Sequence, residues 1–221
     1  MRFLIEPLLV EPRLSAIKAA LQSEAALWEP GSLTAGSVAR QTKTNWQLQR
    51  DSPLFNDLQQ QLVEAMLDHP LLLAAALPLR IHSVLFSRSE AGEGYGRHVD
   101  NAFMAGGRTD LSFTLFLSDP ADYEGGELTI EYPDRAEAFK LPAGHAIVYP
   151  STALHQVEPV LSGRRLVAVG WIQSVIRDAQ QRELLFELEA ACTSLAGRLG
   201  RCEELDLLYK CHANLLRLWG G

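Results

Sequence analysis

The sequence predicts a mainly β protein with flanking helices: a double-stranded β-helix (jelly roll) core, N-terminal helices before it and a C-terminal helical tail after it. Three observations carry this. From Arg80 to Gln173 the chain is a series of short runs rich in Val, Ile, Phe, Leu and Tyr, each bounded by a turn cluster, as in a sandwich or barrel. Before and after this stretch, apolar residues recur at helical spacing. No internal repeat divides the centre.

Residues 1–79 read as a helical and strand support region. Leu14, Ile17, Leu21 and Ala25 share one face of a helix over 11–27, which Trp28-Glu29-Pro30-Gly31-Ser32 stops. Ser52-Pro53 opens a second helix, an N-cap serine before a proline in the first helical position. Its stripe is Leu54, Leu58, Leu62 and Ala65, and it is expected to run to His69.

Residues 80–177 form the core. The expected strands are Ile81–Ser87, Asp110–Leu117, Glu127–Glu131, Ala136–Leu141, Ala146–Tyr149, His155–Val160 and Leu166–Ile172. The turns between them include Ala91-Gly92-Glu93-Gly94, Glu124-Gly125-Gly126, Pro142-Ala143-Gly144 and Leu161-Ser162-Gly163. Residues 178–221 are a helical extension. Leu184, Leu188, Ala191 and Leu195 form one stripe, and Leu205, Leu208, Leu215 and Trp219 a second. Such leucine stripes pack on the barrel or on another subunit, and a homo-oligomer through these helices is expected.

Composition narrows the classes of function. With 221 residues and 47% apolar residues, the chain fits one domain with a substantial core. A formal net charge of −7 argues against a nucleic-acid surface. The apolar run Leu71–Leu79 is too short to span a membrane and contains Pro78. The N-terminus, interrupted by Glu6, Pro7, Glu11 and Pro12, does not read as a secretory signal. Three cysteines, Cys192, Cys202 and Cys211, form no C-x-x-C pair and read as inert thiols of a reducing compartment. A cytoplasmic protein with neither nucleic-acid nor membrane partner is expected.

The chemistry lies in His98-Val99-Asp100, with His155 57 residues downstream of His98 and Arg165 ten beyond His155. In a strand, residues i and i+2 point the same way, so His98 and Asp100 can reach one ion while Val99 faces away. Two imidazoles and one carboxylate hold Fe(II) on one face and leave the other open. Zinc competes for such a set, although no H-E-x-x-H helix is present. Arg165 is in phase with Val167, Val169 and Trp171, and Arg164 with Leu166, Ala168 and Gly170. Both faces are apolar, so periodicity does not choose between the two arginines. His145, after Gly144 in a turn, is expected to face solvent.

These residues, together with Tyr95-Gly96-x-His98-Val99-Asp100-Asn101, Leu115-Phe116-Leu117-Ser118-Asp119-Pro120, Tyr123-Glu124-Gly125-Gly126-Glu127-Leu128, Tyr149-Pro150-Ser151-Thr152 and Trp171-Ile172-Gln173-Ser174, resemble the bacterial PKHD-type hydroxylases. These are Fe(II)/2-oxoglutarate dioxygenases of the prolyl 4-hydroxylase type. The resemblance implies that His98, Asp100 and His155 hold iron and that Arg165 grips the far carboxylate of 2-oxoglutarate. It implies oxidative decarboxylation of 2-oxoglutarate to succinate coupled to C–H hydroxylation of a small-molecule or protein substrate, with L-ascorbate as an accompanying reductant. Tyr95, Asn101, Arg97 and Arg88 flank the first ligands and are candidate substrate contacts. Two other functions stay open at this point: a cupin-like metal enzyme with no use for Arg165, and a non-catalytic iron or 2-oxoglutarate sensor.

Overall fold

The computed structural model describes residues 3–5, 7–34 and 42–221. Its central feature is a seven-stranded antiparallel sheet facing a four-stranded one. The large sheet contains β1 (Phe3–Ile5), β2 (Trp28–Pro30), β3 (Trp46–Leu48), β4 (Pro78–Ser89), β8 (Leu111–Phe116), β12 (Ala146–Pro150) and β15 (Arg165–Ser174), in the order β1-β12-β8-β15-β4-β3-β2. The small sheet contains β5 (Tyr95–His98), β10 (Leu128–Glu131), β11 (Ala136–Phe139) and β13 (His155–Val157), in the order β11-β10-β13-β5. Two antiparallel strand pairs complete the set: β6 (Phe103–Met104) with β7 (Gly107–Arg108), and β9 (Tyr123–Gly125) with β14 (Val160–Gly163).

Alternation on the large sheet produces two cores. On its outer face Phe86, Phe113, Leu115, Leu166 and Ala168 meet the helices α1 (Arg13–Gln22) and α2 (Pro53–Leu67), which bury Leu14, Ile17, Leu21, Phe55, Leu58 and Leu62. On its inner face Phe116, Ile147, Tyr149 and Val167 meet Leu128, Ile130 and Phe139 of the small sheet. Every residue of β8 is buried, because the sheet is covered on both sides there. Leu58 is 1% exposed within the outer core. Leu58→Ala is therefore expected to lower stability by about 2–5 kcal/mol, read as a lower urea midpoint.

The Ser52 side chain caps α2 by accepting the Phe55 amide at 3.1 Å, with Pro53 in the first turn. The helix ends at Leu67, short of His69, because Pro70 starts a new one. That helix, α3 (Pro70–Ala76), is made from the apolar run Leu71–Leu79 and buries Leu72, Ala75 and Ala76. Trp28-Glu29-Pro30 does more than stop α1: it forms β2, the edge strand of the large sheet, where a proline is tolerated. The single strand expected over His155–Val160 is two, split at Glu158-Pro159, and Ser162-Gly163 lies within β14 rather than in a turn.

The tail is α4 (Ala179–Leu199) and α5 (Glu203–Trp219), packed on each other, with α4 also against α3. Its inward line is rotated from the expected stripe. Leu185 and Cys192 are buried, whereas Leu184 is 54% exposed and Ala191 faces solvent. The cause is Arg182, buried and donating to the Ile176 and Arg177 carbonyls at 2.7 and 2.9 Å, which fixes the rotation of the first turn. Of the three thiols, Cys192 is buried, Cys202 intermediate and Cys211 exposed, so burial does not extend to all of them. No helix among the described residues is long and apolar enough to cross a membrane.

Candidate active site

The small sheet brings the two histidines together. β13 pairs antiparallel with β5, and His155 is opposite His98 in the register. Strand β5 ends at His98, so Asp100 arrives from the loop that follows rather than by strand alternation, while Val99 is 51% exposed. One donor atom from each of His98, Asp100 and His155 lies within 4.8 Å of the others. The Nε2 atoms of His98 and His155 stand 3.9 and 3.8 Å from the two Asp100 carboxylate oxygens.

Each of the three clustered side chains is held from behind. His98 Nδ1 donates to the Gly96 carbonyl at 2.8 Å, and His155 Nδ1 to the Ala153 carbonyl at 3.0 Å. A carbonyl only accepts, so the proton sits on Nδ1 and the Nε2 lone pair faces the shared point. Ser112 Oγ donates to Asp100 at 2.6 Å and lies 2.8 Å from Ser151 Oγ, which fixes the carboxylate rotamer. Tyr95 stacks on His98 with ring centroids 3.7 Å apart, and Tyr149 presents its edge to His155 at 5.2 Å. Ser112→Ala is expected to weaken metal affinity by roughly 10–100-fold, measured by Mn(II) titration, without unfolding the protein.

Burial, reinforced by the neighbouring His155, lowers the His98 pKa to about 4. The ring is therefore neutral at neutral pH, the state a metal requires. The sign for stability follows. A histidine whose folded pKa lies below its unfolded value of about 6.5 takes its proton only by unfolding, so stability falls with pH between 6.5 and 4. The loss expected for metal-free protein is on the order of 2–3 kcal/mol, and His98→Gln should remove it in urea titrations at pH 7 and pH 4.5. Burial also pushes the Tyr95 phenol up to about 12, with Asp100 adding to it, and raises Tyr149 further.

Two imidazoles and one carboxylate converging on one point are a donor set that suits Fe(II). All three residues line a cavity of about 830 Å³. Arg165 opens β15 and lines the same cavity, as do Val167, Val169 and Trp171 from its face of the strand. It is 3% exposed, and its Nε has no hydrogen-bond partner. Among the described residues it forms no ion pair; its guanidinium lies 5.6 Å from the Phe116 ring centroid. Burial lowers its pKa, and the Tyr123 phenol beside it is the largest opposing influence. The Tyr123 hydroxyl is likewise buried without a partner. An enclosed guanidinium Nε without a hydrogen-bond partner, beside the Tyr123 hydroxyl, fits a carboxylate supplied from outside the chain. Gly126, at φ +66°, lets the chain pass here: a Cβ on it would sit 3.0 Å from Arg165 Cδ. Arg164 instead is half-exposed and bonded to Glu90 at 2.9 Å.

Of the residues flanking the first ligands, Tyr95, Arg97 and Asn101 line the cavity. Arg97 is engaged by a two-pronged bond to Glu131 at 2.5 and 2.7 Å. Arg88 is not at the site. Ser87 and Ser89 line the cavity, so alternation turns Arg88 to the other face of β4, where it lies 4.9 Å over Trp28 and 3.8 Å from Glu90. His145 is half-buried, with Nδ1 enclosed, so it faces solvent only in part.

One wall came from an unexpected quarter. Lys43, Asn45 and Gln47 are buried polar residues lining the cavity from β3 and the segment before it. Little in Thr42-Lys43-Thr44-Asn45-Trp46-Gln47-Leu48 marks this wall, since Thr42 and Thr44 are polar as well as the odd positions. Ser112 and Ser151, which position Asp100, are likewise unmarked.

Comparison with known proteins adds family evidence to this geometry. Residues 84–173 match the 2OG-Fe(II) oxygenase superfamily, and residues 178–220 match the PKHD-type hydroxylase C-terminal domain. The chain is 46% identical over 221 residues to a PKHD-type hydroxylase of Prochlorococcus marinus strain AS9601, covering 100% of both chains. It is 53% identical over 189 residues to one of Acaryochloris marina strain MBIC 11017, covering 86% of each. Among solved structures, it is similar in fold to a Pseudomonas putida prolyl-4-hydroxylase, with a TM-score of 0.54, 20% identity, and 78% of this chain and 92% of that one covered.

Proposed function

The chain belongs to the PKHD-type hydroxylases, Fe(II)- and 2-oxoglutarate-dependent oxygenases, and from that premise we propose that His98, Asp100 and His155 hold the iron and that Arg165 takes the far carboxylate of 2-oxoglutarate. One observation carries this reading: a three-donor cluster and a buried, unpaired guanidinium line one cavity. When bound, iron and 2-oxoglutarate supply oxidative decarboxylation to succinate coupled to C–H hydroxylation of a substrate.

The chain's own residues then have separable tasks. His98 and His155 present their Nε2 atoms, each ring held through Nδ1 by the Gly96 and Ala153 carbonyls. Asp100 supplies the one negative charge, oriented by Ser112. Arg165 offers its guanidinium to a carboxylate and neutralises it where water cannot, with the Tyr123 hydroxyl beside it. Val167, Val169 and Leu128 line the cavity with apolar surface and exclude solvent from the reacting groups.

The test uses protein freed of metal. Fe(II) and 2-oxoglutarate together are expected to restore succinate formation, and neither does so alone. Succinate formed in full without Fe(II) would contradict the proposal.

A further inference from the structure

The cavity carries more positive charge than 2-oxoglutarate accounts for. Besides Arg165 it is lined by Lys43, Arg50 and Arg97, while its one acidic lining residue is Asp100. Arg97 is matched by Glu131, and under the proposed function Asp100 faces the metal and Arg165 the cosubstrate. Lys43 and Arg50 remain.

Lys43 is 8% exposed, yet its amine has no acidic partner among the described residues. It donates to Thr34 Oγ1 at 3.2 Å and lies 4.9 Å from the Tyr95 ring centroid. The preceding seven residues, 35–41, contain no Asp or Glu. Burial lowers the Lys43 pKa to about 8, with Asp100 opposing the shift and Arg50 adding to it, so the amine stays largely protonated at neutral pH. A buried ammonium without an ion-pair partner, influenced by Asp100 that under the proposed function serves the metal and beside a second cation, is an unfavourable arrangement that an incoming anion would relieve.

The position also distinguishes Lys43 from Arg165. Its backbone bridges to Tyr95, in the strand that carries His98, whereas Arg165 opens β15 in the other sheet. We propose that the substrate to be hydroxylated carries a carboxylate, bound by the buried Lys43 with the exposed Arg50 beside it. A carboxylate matches the single charge that one buried ammonium balances. This assignment rests on the function proposed above and adds the substrate's chemical class to it.

The test loads full-length protein with Mn(II) and saturating N-oxalylglycine, an inert 2-oxoglutarate analogue. Mn(II)-induced broadening of ligand proton signals then compares acetate, hexanoate, benzoate and N-acetylglycine with their neutral amides. At least one carboxylate is expected to bind about tenfold or more tightly than its amide. Lys43→Met and Lys43→Gln should abolish that preference and Lys43→Arg retain it, with Mn(II) and N-oxalylglycine affinities unchanged as the check on folding. No preference for any carboxylate, or a preference that survives Lys43→Met, overturns the proposal. So does inorganic phosphate competing where carboxylates do not, or a parallel loss of Mn(II) affinity, which would make Lys43 a support for Asp100. Failure of N-oxalylglycine to bind the Mn(II) protein is a separate result, and it overturns the proposed function together with the assignment built on it.

Discussion

Asp100→Ala is expected to reduce Fe(II)-dependent succinate formation by well over the roughly 10–100-fold that a lost outer partner costs. Asp100 is the one carboxylate among the three clustered donors, with both oxygens within 4 Å of a histidine Nε2. Its removal leaves two neutral imidazoles, a set without the negative charge that a hard divalent ion requires. His98→Ala and His155→Ala should be similarly inactive, because each deletes one of the three proposed ligands. The measurement is succinate production by metal-depleted protein after Fe(II) is restored, with metal content determined in parallel. Full activity in any one variant would remove that residue from the ligand set. The contrast with Ser112→Ala is informative: that serine touches only the carboxylate, so raising the metal concentration should recover much of its activity.

Arg165→Ala is expected to raise the KM for 2-oxoglutarate by about two to nearly four orders of magnitude, from loss of about 3–5 kcal/mol of buried charge pairing. Arg164→Ala should change it less than about twofold, since Arg164 is half-exposed and paired with Glu90. Arg165→Lys should recover only part of the loss, because an ammonium cannot fork two parallel bonds to a carboxylate. An unchanged KM in Arg165→Ala, with Arg164→Ala impaired, would reverse the assignment of the two arginines. Steady-state succinate formation across a 2-oxoglutarate titration decides it.

Much of this was legible in the chain because its signals were local. Short apolar runs bounded by turn clusters marked β8, β12 and β15, and strand parity put Arg165 and Arg164 on opposite faces of the chain. Parity alone did not say which face was the cavity; that depended on the small sheet closing over Val167 and Val169. The approach of His98 to His155 likewise rests on a pairing between strands 57 residues apart, which no local pattern encodes.

The misread parts have related causes. The Leu71–Leu79 run was too uniformly apolar to show a period, so α3 went unseen. The α4 stripe was placed one residue early because leucines marked it, while the rotation was set by Arg182 and its bonds to main-chain carbonyls. Arg88 looked close to the site in sequence, but one step of alternation moves it through the sheet. Lys43 was overlooked because a lysine is ordinarily a surface residue, and its burial is visible only when Tyr95 and Thr34 are in place.

The central claim, that this donor set and this arginine form one Fe(II) and 2-oxoglutarate site, is tested most directly without turnover. Under anaerobic conditions, chelation of protein-bound Fe(II) by 2-oxoglutarate produces a visible charge-transfer band. Wild-type protein is expected to develop that band and saturate at one 2-oxoglutarate per iron. Asp100→Ala should show none, and Arg165→Ala should reach it only at 2-oxoglutarate concentrations about a hundredfold higher or more. A band of undiminished intensity in Asp100→Ala, or an unshifted titration in Arg165→Ala, would contradict the account.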